Sequence, residues 1–328
     1  MSSQPCVSVS IINYRTGPET IACIESVVAD LAGDDRHPPV AGEVVVVDNA
    51  SGDGSAEAIA QWIAAHPDAP VRLVRSEHNA GFSGGQNQGF AASSTPFVLV
   101  LNSDAELRPG CLSTLLSAAE EAPRAGLLAP RLEDPDGTVQ TSCFRFPTAM
   151  SELIRGANSG PLTALLTRWD VALPPPADPD AIDWASFACI LLRREMIDAI
   201  GPMDEGYFLY FEDIEYALRA SRAGWRVVHV PAARAVHHRG GSGPVKTLRK
   251  QLRRLPKYYY AARTRYFYQK GGMFGLLVAN LLWFAGRGLA CARRLAGKRV
   301  PRATEREGRD IWTNVLRPLG PRHAPHES

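Results

Sequence analysis

Four short runs of aliphatic residues occur in the first 125 residues of the chain, and segments with helical spacing separate them. The aliphatic runs are residues 7–12, 43–47, 71–75 and 97–101, and the helical segments are residues 20–31, 55–65, 84–92 and 112–122. Continuous Val, Ile and Leu in strands that alternate with helices is typical of a parallel sheet covered on both faces. The pattern therefore predicts an α/β fold with a mostly parallel sheet and flanking helices.

Polar residues stand at the ends of three of these predicted strands. Asn13, Asp48 and Asp104 each lie at or just beyond a carboxyl end. Ligands of open α/β sheets bind beyond the carboxyl ends of the strands. This half of the chain is therefore predicted to bind a nucleotide. For Asp48 alone, a plain strand-to-helix loop is an equally good explanation, because the small polar residues after it are turn formers.

The segment Asn102-Ser103-Asp104 places a carboxylate at the tip of a buried strand. Mg²⁺ and Mn²⁺ prefer oxygen ligands and often share them with substrate phosphates. Asp104 is therefore a candidate metal ligand, with an Asx turn as the alternative. The glycine-rich residues 79–89 allow close backbone approach and open a helix whose N-terminus favours phosphate. They match neither the dinucleotide-binding fingerprint nor a P-loop.

A second acidic cluster, Glu212-Asp213, follows the aromatic residues 207–211. An apolar setting raises the pKa of a carboxyl group toward the range that suits a general base. Capping of the following helix is the alternative role for one of the two. Trp184 is a candidate wall of an acceptor site. His237 follows a predicted strand and is a candidate second metal ligand, and the glycine-rich residues 239–243 are a candidate loop over phosphates.

Composition limits where the protein works and what it binds. The net charge of +2 gives no reason to expect nucleic acid as a partner. Six cysteines are scattered singly, and no signal peptide is recognised, so a cytoplasmic location is expected. Basic residues dominate residues 246–299, and residues 273–286 carry no charge. This section predicts helices that lie on an anionic membrane surface, with packing on the catalytic domain as the alternative. Residues 301–328 are predicted to be poorly ordered.

Taken together, these motifs identify a resemblance. The chain resembles inverting glycosyltransferases of family 2, in the rhamnosyltransferase-like branch that builds bacterial cell-wall and surface polysaccharides. The resemblance covers residues 7–242 and is carried by residues 10–14, 47–55, 79–82, 101–104, 208–213 and 236–238. It implies a GT-A (Rossmann-like) catalytic domain over residues 5–245, built on a single mixed, mostly parallel sheet. Residues 5–125 would be its nucleotide-sugar half and residues 126–245 its acceptor half, followed by the helical extension 246–300.

The resemblance also implies roles for individual residues. For the donor, Asn13 and Tyr14 border the nucleotide, Asp48 contacts the base, and Asn79, Gly81 and Phe82 line the pocket. Asn102, Ser103 and Asp104 correspond to the DXD motif, with Asn102 in place of its first acid. Asp104 and His237 are the implied ligands of Mg²⁺ or Mn²⁺, and Asp213 is the implied catalytic base. Trp184 and Glu212 are assigned to the acceptor site.

The implied reaction is metal-dependent transfer of a sugar, with inversion, from a nucleoside diphosphate sugar such as dTDP-rhamnose. The acceptor is a hydroxyl of a saccharide or a lipid-linked saccharide, at the inner face of the plasma membrane. A nucleotidyltransferase that makes sugar nucleotides is the first alternative, but residues 13–17 are a poor substitute for its basic glycine-rich loop. A non-catalytic nucleotide-sugar-binding protein is the second. The joint presence of Asp104, Asp213 and His237 argues against it.

Overall fold

A computed structural model describes residues 6–238, 245–300 and 302–325. Within these residues a mixed sheet of eight strands is flanked by helices, and a small antiparallel sheet lies beside it. The strands are β1 Val7–Asn13, β2 Gly42–Asp48, β3 Val71–Arg75, β4 Phe97–Asn102, β5 Ala105–Leu107, β6 Ala125–Glu133, β7 Cys143–Phe144, β8 Ala172–Leu173, β9 Trp184–Ala185, β10 Cys189–Arg193 and β11 Arg226–His237. The helices are α1 Gly17–Ala32, α2 Ser55–Ala65, α3 Gly81–Ala91, α4 Cys111–Glu121, α5 Ala149–Ala157, α6 Gly160–Leu165, α7 Arg194–Ile200, α8 Glu212–Arg222, α9 Val245–Lys250, α10 Lys257–Leu295 and α11 Glu307–Asp310.

The large sheet has the strand order β3-β2-β1-β4-β10-β6-β11-β5. Strands β3, β2, β1 and β4 are parallel to one another, and β6 is parallel to β11. Strand β10 is antiparallel to both of its neighbours, and β5 is antiparallel to β11. The smaller sheet has the order β8-β7-β9. The predicted α/β fold with a mixed, mostly parallel sheet and flanking helices is confirmed.

Strand β4 shows why the aliphatic runs are continuous. Its Leu99 and Leu101 side chains belong to one buried cluster, together with residues of α1 and α4. Its Val98 and Val100 side chains belong to a second buried cluster, together with residues of α7 and α8. Successive side chains of a strand point to opposite faces, so a strand covered on both faces needs apolar residues at every position. Polar residues instead stand at the carboxyl ends of β1, β2 and β4.

Residues 126–245 differ from the prediction in two places. The sequence predicts one strand from Trp184 to Arg193, but the chain forms β9 in the small sheet and β10 in the large sheet. Residues 186–188 connect them, and Ser186 N–H donates to Ser142 O over 2.9 Å. Strand β6 was not predicted. It lies between β10 and β11 and contributes Leu127 and Leu128 to the core.

Helix α10 contains non-helical backbone at Gly271 and Gly272, so it consists of two helical halves that meet at a kink. The half before the kink buries Tyr260 and Tyr266, and the half after it buries Trp283. By length and composition α10 could cross a membrane, although such a test is also passed by a core helix of a soluble protein. In the most apolar 18-residue segment of α10, only 33% is buried within the molecule.

The prediction of a poorly ordered tail is wrong for residues 302–325, which pack on the helical extension. Ile311 is fully buried, and its carbonyl accepts a hydrogen bond of 3.2 Å from Asn280 Nδ2. The guanidinium of Arg254 donates to both carboxylate oxygens of Asp310, over 2.7 and 2.9 Å. The tail carries acidic residues, and residues 246–299 carry none. The ion pair between Arg254 and Asp310 therefore helps to hold the tail on the extension.

Candidate active site

The pairing of β5 with β11 brings the two candidate metal ligands together. Ala105 is the register partner of His237, and His238 N–H donates to the Asp104 carbonyl over 2.9 Å. The imidazole Nε2 of His237 lies 3.5 Å from Asp104 Oδ1. Both residues are buried, at 8% and 5% exposure. The sheet thus places an imidazole nitrogen beside the carboxylate of the Asn102-Ser103-Asp104 segment.

The chemistry of this pair fits one side of a divalent cation site. Nε2 of His237 is buried without a hydrogen-bond partner among the residues that the structure describes. A buried ring nitrogen without a partner is costly, and coordination of a cation by that nitrogen would satisfy it. Across the described ranges, no group of three or more His, Cys, Asp and Glu residues is arranged to hold a metal. A cation at Asp104 and His237 would therefore need further oxygen ligands, which substrate phosphates supply in many proteins.

Asn13, at the end of β1, makes hydrogen bonds to residues of β2, α1 and α2. Its amide Nδ2 donates to Asp48 Oδ1 over 2.7 Å and to Ser55 Oγ over 2.8 Å. Its Oδ1 accepts from Thr20 Oγ1 over 3.1 Å. These contacts join the ends of β1 and β2 to the starts of α1 and α2. The Asn13 side chain therefore holds Asp48 in place.

The loop after β1 also contacts the turn after β4. Thr16 Oγ1 donates to Ser103 Oγ over 3.0 Å. Tyr14 is half-buried, with the Arg15 guanidinium 5.2 Å from its ring centroid. Tyr14 and Ser103 thus lie in adjoining loops at the same edge of the sheet.

Residues 79–82, which the resemblance assigns to the donor pocket, are here called the donor loop. They are held by Asn49, to which the sequence motifs assign no separate role. Asn49 Oδ1 accepts from Ala80 N–H over 2.9 Å, and Asn49 Nδ2 donates to Asn79 Oδ1 and to Gly81 O, each over 3.0 Å. Asn49 directly follows Asp48 in the motif of residues 47–55. Its amide can donate and accept at once, which is the signal that would have identified it.

The donor loop is joined to the aromatic segment that precedes Glu212. Phe82 N–H donates to Phe208 O over 2.8 Å. Gly81 has a φ of +72°, and a Cβ atom at this position would overlap the Phe208 carbonyl. Only glycine suits both the left-handed backbone and this close approach. The contact fixes the donor loop against the segment that carries the candidate base.

Two residues with positive φ, Tyr210 and Phe211, turn the chain into α8. Glu212 and Asp213 therefore stand in the first turn of this helix, where Ile214 N–H donates to Asp213 Oδ1 over 2.9 Å. Burial raises the pKa of Asp213 to about 7. Burial, and then the neighbouring Asp213 carboxylate, raise the pKa of Glu212 well above its usual range. At neutral pH Glu212 therefore keeps its proton, whereas Asp213 is partly ionised.

These groups converge on one cleft of about 680 Å³. Predicted site residues from the donor, metal, base and acceptor groups line it: Phe82, Asn102, His237, Asp213, Glu212 and Trp184. The other predicted site residues are not part of its lining: Asn13, Tyr14, Asp48, Asn79, Gly81, Ser103 and Asp104. Three of these residues contact the segments beside the cleft instead: Asn13, Asn79 and Gly81. The glycine-rich residues 239–243, expected to fold over phosphates, lie outside the described residues.

Aromatic side chains also line the cleft and form an apolar wall, in contrast to the acidic pair. The rings of Trp184 and Phe144 stack with centroids 4.3 Å apart and planes inclined by 19°. The indole N–H of Trp184 donates to Arg145 O over 3.0 Å. Phe144 lies in the irregular middle of the chain, where no periodic pattern indicated a role. A flat apolar surface beside carboxyl groups is suited to the faces and hydroxyls of a sugar.

Comparisons with known proteins show the family of the chain. Residues 8–161 match glycosyl transferase family 2, and residues 180–295 match glycosyl transferase family group 2. The N-acetylglucosaminyl-diphospho-decaprenol L-rhamnosyltransferase of Mycobacterium tuberculosis is 33% identical over 70% of this chain and 75% of its own length. The low-salt glycan biosynthesis hexosyltransferase Agl10 of Haloferax volcanii is 28% identical over 71% of this chain and 67% of its own length.

Solved structures share the fold. The mannosyltransferase PcManGT from Pyrobaculum calidifontis, in complex with GDP-Man and Mn²⁺, superposes with a TM-score of 0.52. The alignment has 16% sequence identity and covers 97% of this chain and 85% of that chain. At this level of identity the likeness supports the GT-A fold alone.

Proposed function

The chain belongs to glycosyl transferase family 2, and we propose that it transfers a sugar, with inversion, from a nucleoside diphosphate sugar to a hydroxyl group of a saccharide. The observation that carries the proposal is the cleft itself. It joins a carboxylate with a pKa near neutrality, an imidazole nitrogen without a hydrogen-bond partner among the described residues, and an aromatic wall. The 33% identity with a rhamnosyltransferase makes dTDP-rhamnose the first donor to test.

Asp213 is proposed as the general base. Its pKa of about 7 leaves a substantial fraction ionised at neutral pH, while its basicity remains high enough to accept a proton from a hydroxyl. In the reaction, the acceptor oxygen attacks the anomeric carbon as the bond from that carbon to the diphosphate oxygen breaks. The proton of the hydroxyl passes to Asp213. Attack opposite the leaving group inverts the anomeric configuration.

Glu212 and Trp184 are proposed to position the acceptor. The protonated carboxyl of Glu212 can donate a hydrogen bond, and its Oε2 atom is buried without a hydrogen-bond partner among the described residues. Trp184 offers its ring face, because its N–H is already bonded to the Arg145 carbonyl. Holding both substrates in reactive geometry supplies much of the rate of such transfers.

Asp104 and His237 are proposed to hold Mg²⁺ or Mn²⁺. Such an ion, when bound, supplies positive charge that stabilises the leaving diphosphate. Asn13 keeps Asp48 in place for the nucleotide through its hydrogen bond to the Asp48 carboxylate. The donor loop, with Asn79, Gly81 and Phe82, is proposed to border the same nucleotide sugar. Asn102 lines the cleft without adding a second carboxylate.

Product analysis tests the proposal directly. Purified protein is incubated with a panel of nucleoside diphosphate sugars, dTDP-rhamnose first, and with a saccharide acceptor and Mn²⁺. A glycosyltransferase releases free nucleoside diphosphate, whereas a nucleotidyltransferase would produce or consume pyrophosphate, and a binding protein would release nothing. Asp213→Asn is expected to abolish transfer while donor binding survives. Turnover by that variant near the wild-type rate would remove the base assignment.

We further propose that the protein works in the cytoplasm on a lipid-linked acceptor, at the inner face of an anionic membrane. Residues 246–299 contain 14 Lys and Arg residues and no Asp or Glu. The half of α10 after the kink exposes large apolar side chains on one face: Phe274 at 80%, Leu281 at 61%, Phe284 at 41% and Leu277 at 37%. An exposed apolar helix face with basic residues around it suits the interface of anionic lipids.

Vesicle flotation tests this location. The full chain is expected to float with vesicles that contain phosphatidylglycerol and to remain largely in solution with phosphatidylcholine alone. Phe274→Asp with Leu281→Asp should abolish flotation. Leu165→Asp is the matched control, because Leu165 is 79% exposed on α6 and lies outside the basic extension. Equal flotation of the double variant and the control would refute the membrane assignment.

A further inference from the structure

The tail ends in a contact with the donor loop. Arg322 Nη1 donates to Ala80 O over 2.7 Å and to Glu205 O over 3.2 Å. The Arg322 guanidinium carbon also lies 6.0 Å from the ring centroid of Phe208. One side chain from the end of the chain therefore touches both the donor loop and the segment that leads to Glu212 and Asp213.

Other contacts already hold these two segments together. Phe82 N–H is bonded to Phe208 O over 2.8 Å, and Gly81 packs closely on the same carbonyl. Glu205 is tied to α3 as well, because its Oε1 accepts from Asn87 Nδ2 over 3.0 Å. Arg322 adds a cation whose hydrogen bonds run to carbonyl oxygens on both sides of this junction. Hydrogen bonds from a charged donor are stronger than neutral ones.

The position of Arg322 is set by the tail before it. Ile311 is fully buried, Asp310 pairs with Arg254, and the Thr304 N–H donates to Glu307 Oε2 over 3.1 Å. Nearer the contact, His323 Nε2 and Asn314 Oδ1 are 3.2 Å apart. The tail is therefore fixed to the helical extension through Asp310 and Ile311, and contacts within the tail lead from there toward Arg322.

We propose that Arg322 is a positioning residue for the donor: it holds the donor loop against residues 205–208 and so fixes the shape of the nucleotide-sugar site. The part of the inference that concerns the donor rests on the proposed function. The part that concerns the loop does not. A segment predicted from its composition to be disordered is thereby assigned a role in the active site.

Hydrogen exchange of the full chain, without ligand, tests the contact. In Arg322→Ala, the amides of peptides covering residues 79–82 are expected to exchange about tenfold faster, a factor that corresponds to roughly 1.4 kcal/mol of local stability. Arg322→Lys should recover part of the protection, since an ammonium can still bond to one carbonyl. Arg317→Ala is the matched control, because Arg317 is an exposed arginine of the same tail. Unchanged exchange in Arg322→Ala would overturn the proposal.

Binding then separates the donor role from a general structural one. The probes are dTDP, UDP and GDP, each with Mn²⁺, titrated into wild type, Arg322→Ala and Arg317→Ala. The expected result is a roughly tenfold weaker Kd for the nucleotide that binds wild type, with the melting temperature close to that of the control. An equal Kd in the two variants would overturn the donor role. Should no nucleotide bind wild type, the proposed function fails, and hydrogen exchange still decides whether Arg322 holds the loop.

Discussion

Nε2 of His237 lies 3.5 Å from Oδ1 of Asp104, although the two residues belong to different halves of the chain. The short antiparallel pairing of β5 with the end of β11 creates this approach. From either residue alone, a metal ligand could not be told apart from a turn residue or a core residue. Their proximity in a buried setting, with an imidazole nitrogen that lacks a hydrogen-bond partner among the described residues, favours a shared cation.

Loss of either ligand is expected to remove metal-dependent behaviour. Asp104→Asn and His237→Ala should lower turnover by about 100-fold or more, because several kcal/mol of charge stabilisation at the leaving group is lost. Both should also lose the extra thermal stabilisation that Mn²⁺ adds to dTDP or UDP after treatment with EDTA. His238→Ala is the control, since His238 is exposed and pairs with Glu106 over 2.7 Å. A loss of the same size in the control would contradict the assignment.

The acidic pair predicts how activity depends on pH. The pKa of Asp213 is about 7, and the proposed base must be ionised to accept a proton. Log(kcat/KM) for the acceptor, measured with saturating donor, is expected to rise by about one unit per pH unit up to neutrality and then level off. Circular dichroism across the same range checks that the protein stays folded. A flat profile between pH 5 and pH 7 would rule out Asp213 as the titrating base.

The same pKa predicts that folding stability falls as pH rises, whereas activity rises. In the folded protein the Asp213 pKa lies above its usual value of 3.8, so folding takes up a proton between pH 4 and pH 7. The wild type therefore loses stability through Asp213 as pH rises across this window, and Asp213→Asn does not. We compare the free energy of unfolding of Asp213→Asn with that of the wild type at each pH. The difference in favour of the variant should be about 2 kcal/mol larger at pH 8 than at pH 5.

Urea denaturation at the two pH values measures this difference. Asp198→Asn is the control, because Asp198 is an exposed carboxylate on the neighbouring helix α7. Its effect should be within about 0.5 kcal/mol of zero at both pH values. If Asp213→Asn is no more stabilising at pH 8 than at pH 5, the carboxyl group is not held in an unfavourable setting.

The elements predicted best are those whose residues face apolar surroundings on both sides. Strand β4 occupies residues 97–102, against a prediction of 97–101. The agreement arises because each side chain from residue 97 to residue 101 packs in one of the two cores. Strand β6 is buried to the same degree, but Pro130 and Arg131 interrupt its aliphatic run. It therefore lacked the signal that identified β4. Its place between β10 and β11 depends on pairings with distant strands, which no local pattern records.

The tail shows that composition alone does not predict whether a segment is ordered. Residues 302–325 are rich in proline and charge, which is typical of disorder. Their partners are far away in sequence: Arg254 for Asp310, and Asn280 for the Ile311 carbonyl. The motif residues of the cleft could be identified because each lies in a short, distinctive segment. Arg322 could not, because its role exists only once the tail has packed.

Gly81 provides a final test of the junction between donor loop and acidic pair. Gly81→Ala should cost about 2–3 kcal/mol of folding stability, because the left-handed φ costs roughly 1 kcal/mol and the overlap with the Phe208 carbonyl adds a similar or larger amount. Gly52→Ala separates the two causes. Gly52 has a φ of +64°, but a Cβ atom there would meet nothing within 4 Å, so the strain alone remains.

The comparison is made by urea denaturation and by titration with the nucleotide that binds wild type. Gly52→Ala should lose about 1 kcal/mol. Gly81→Ala should lose more stability and also bind the nucleotide more weakly, because the Phe82 N–H can no longer approach Phe208 O at 2.8 Å without rearrangement. Equal losses in the two variants would mean that the donor loop moves freely away from Phe208. The close contact would then not be what aligns the donor site with Asp213.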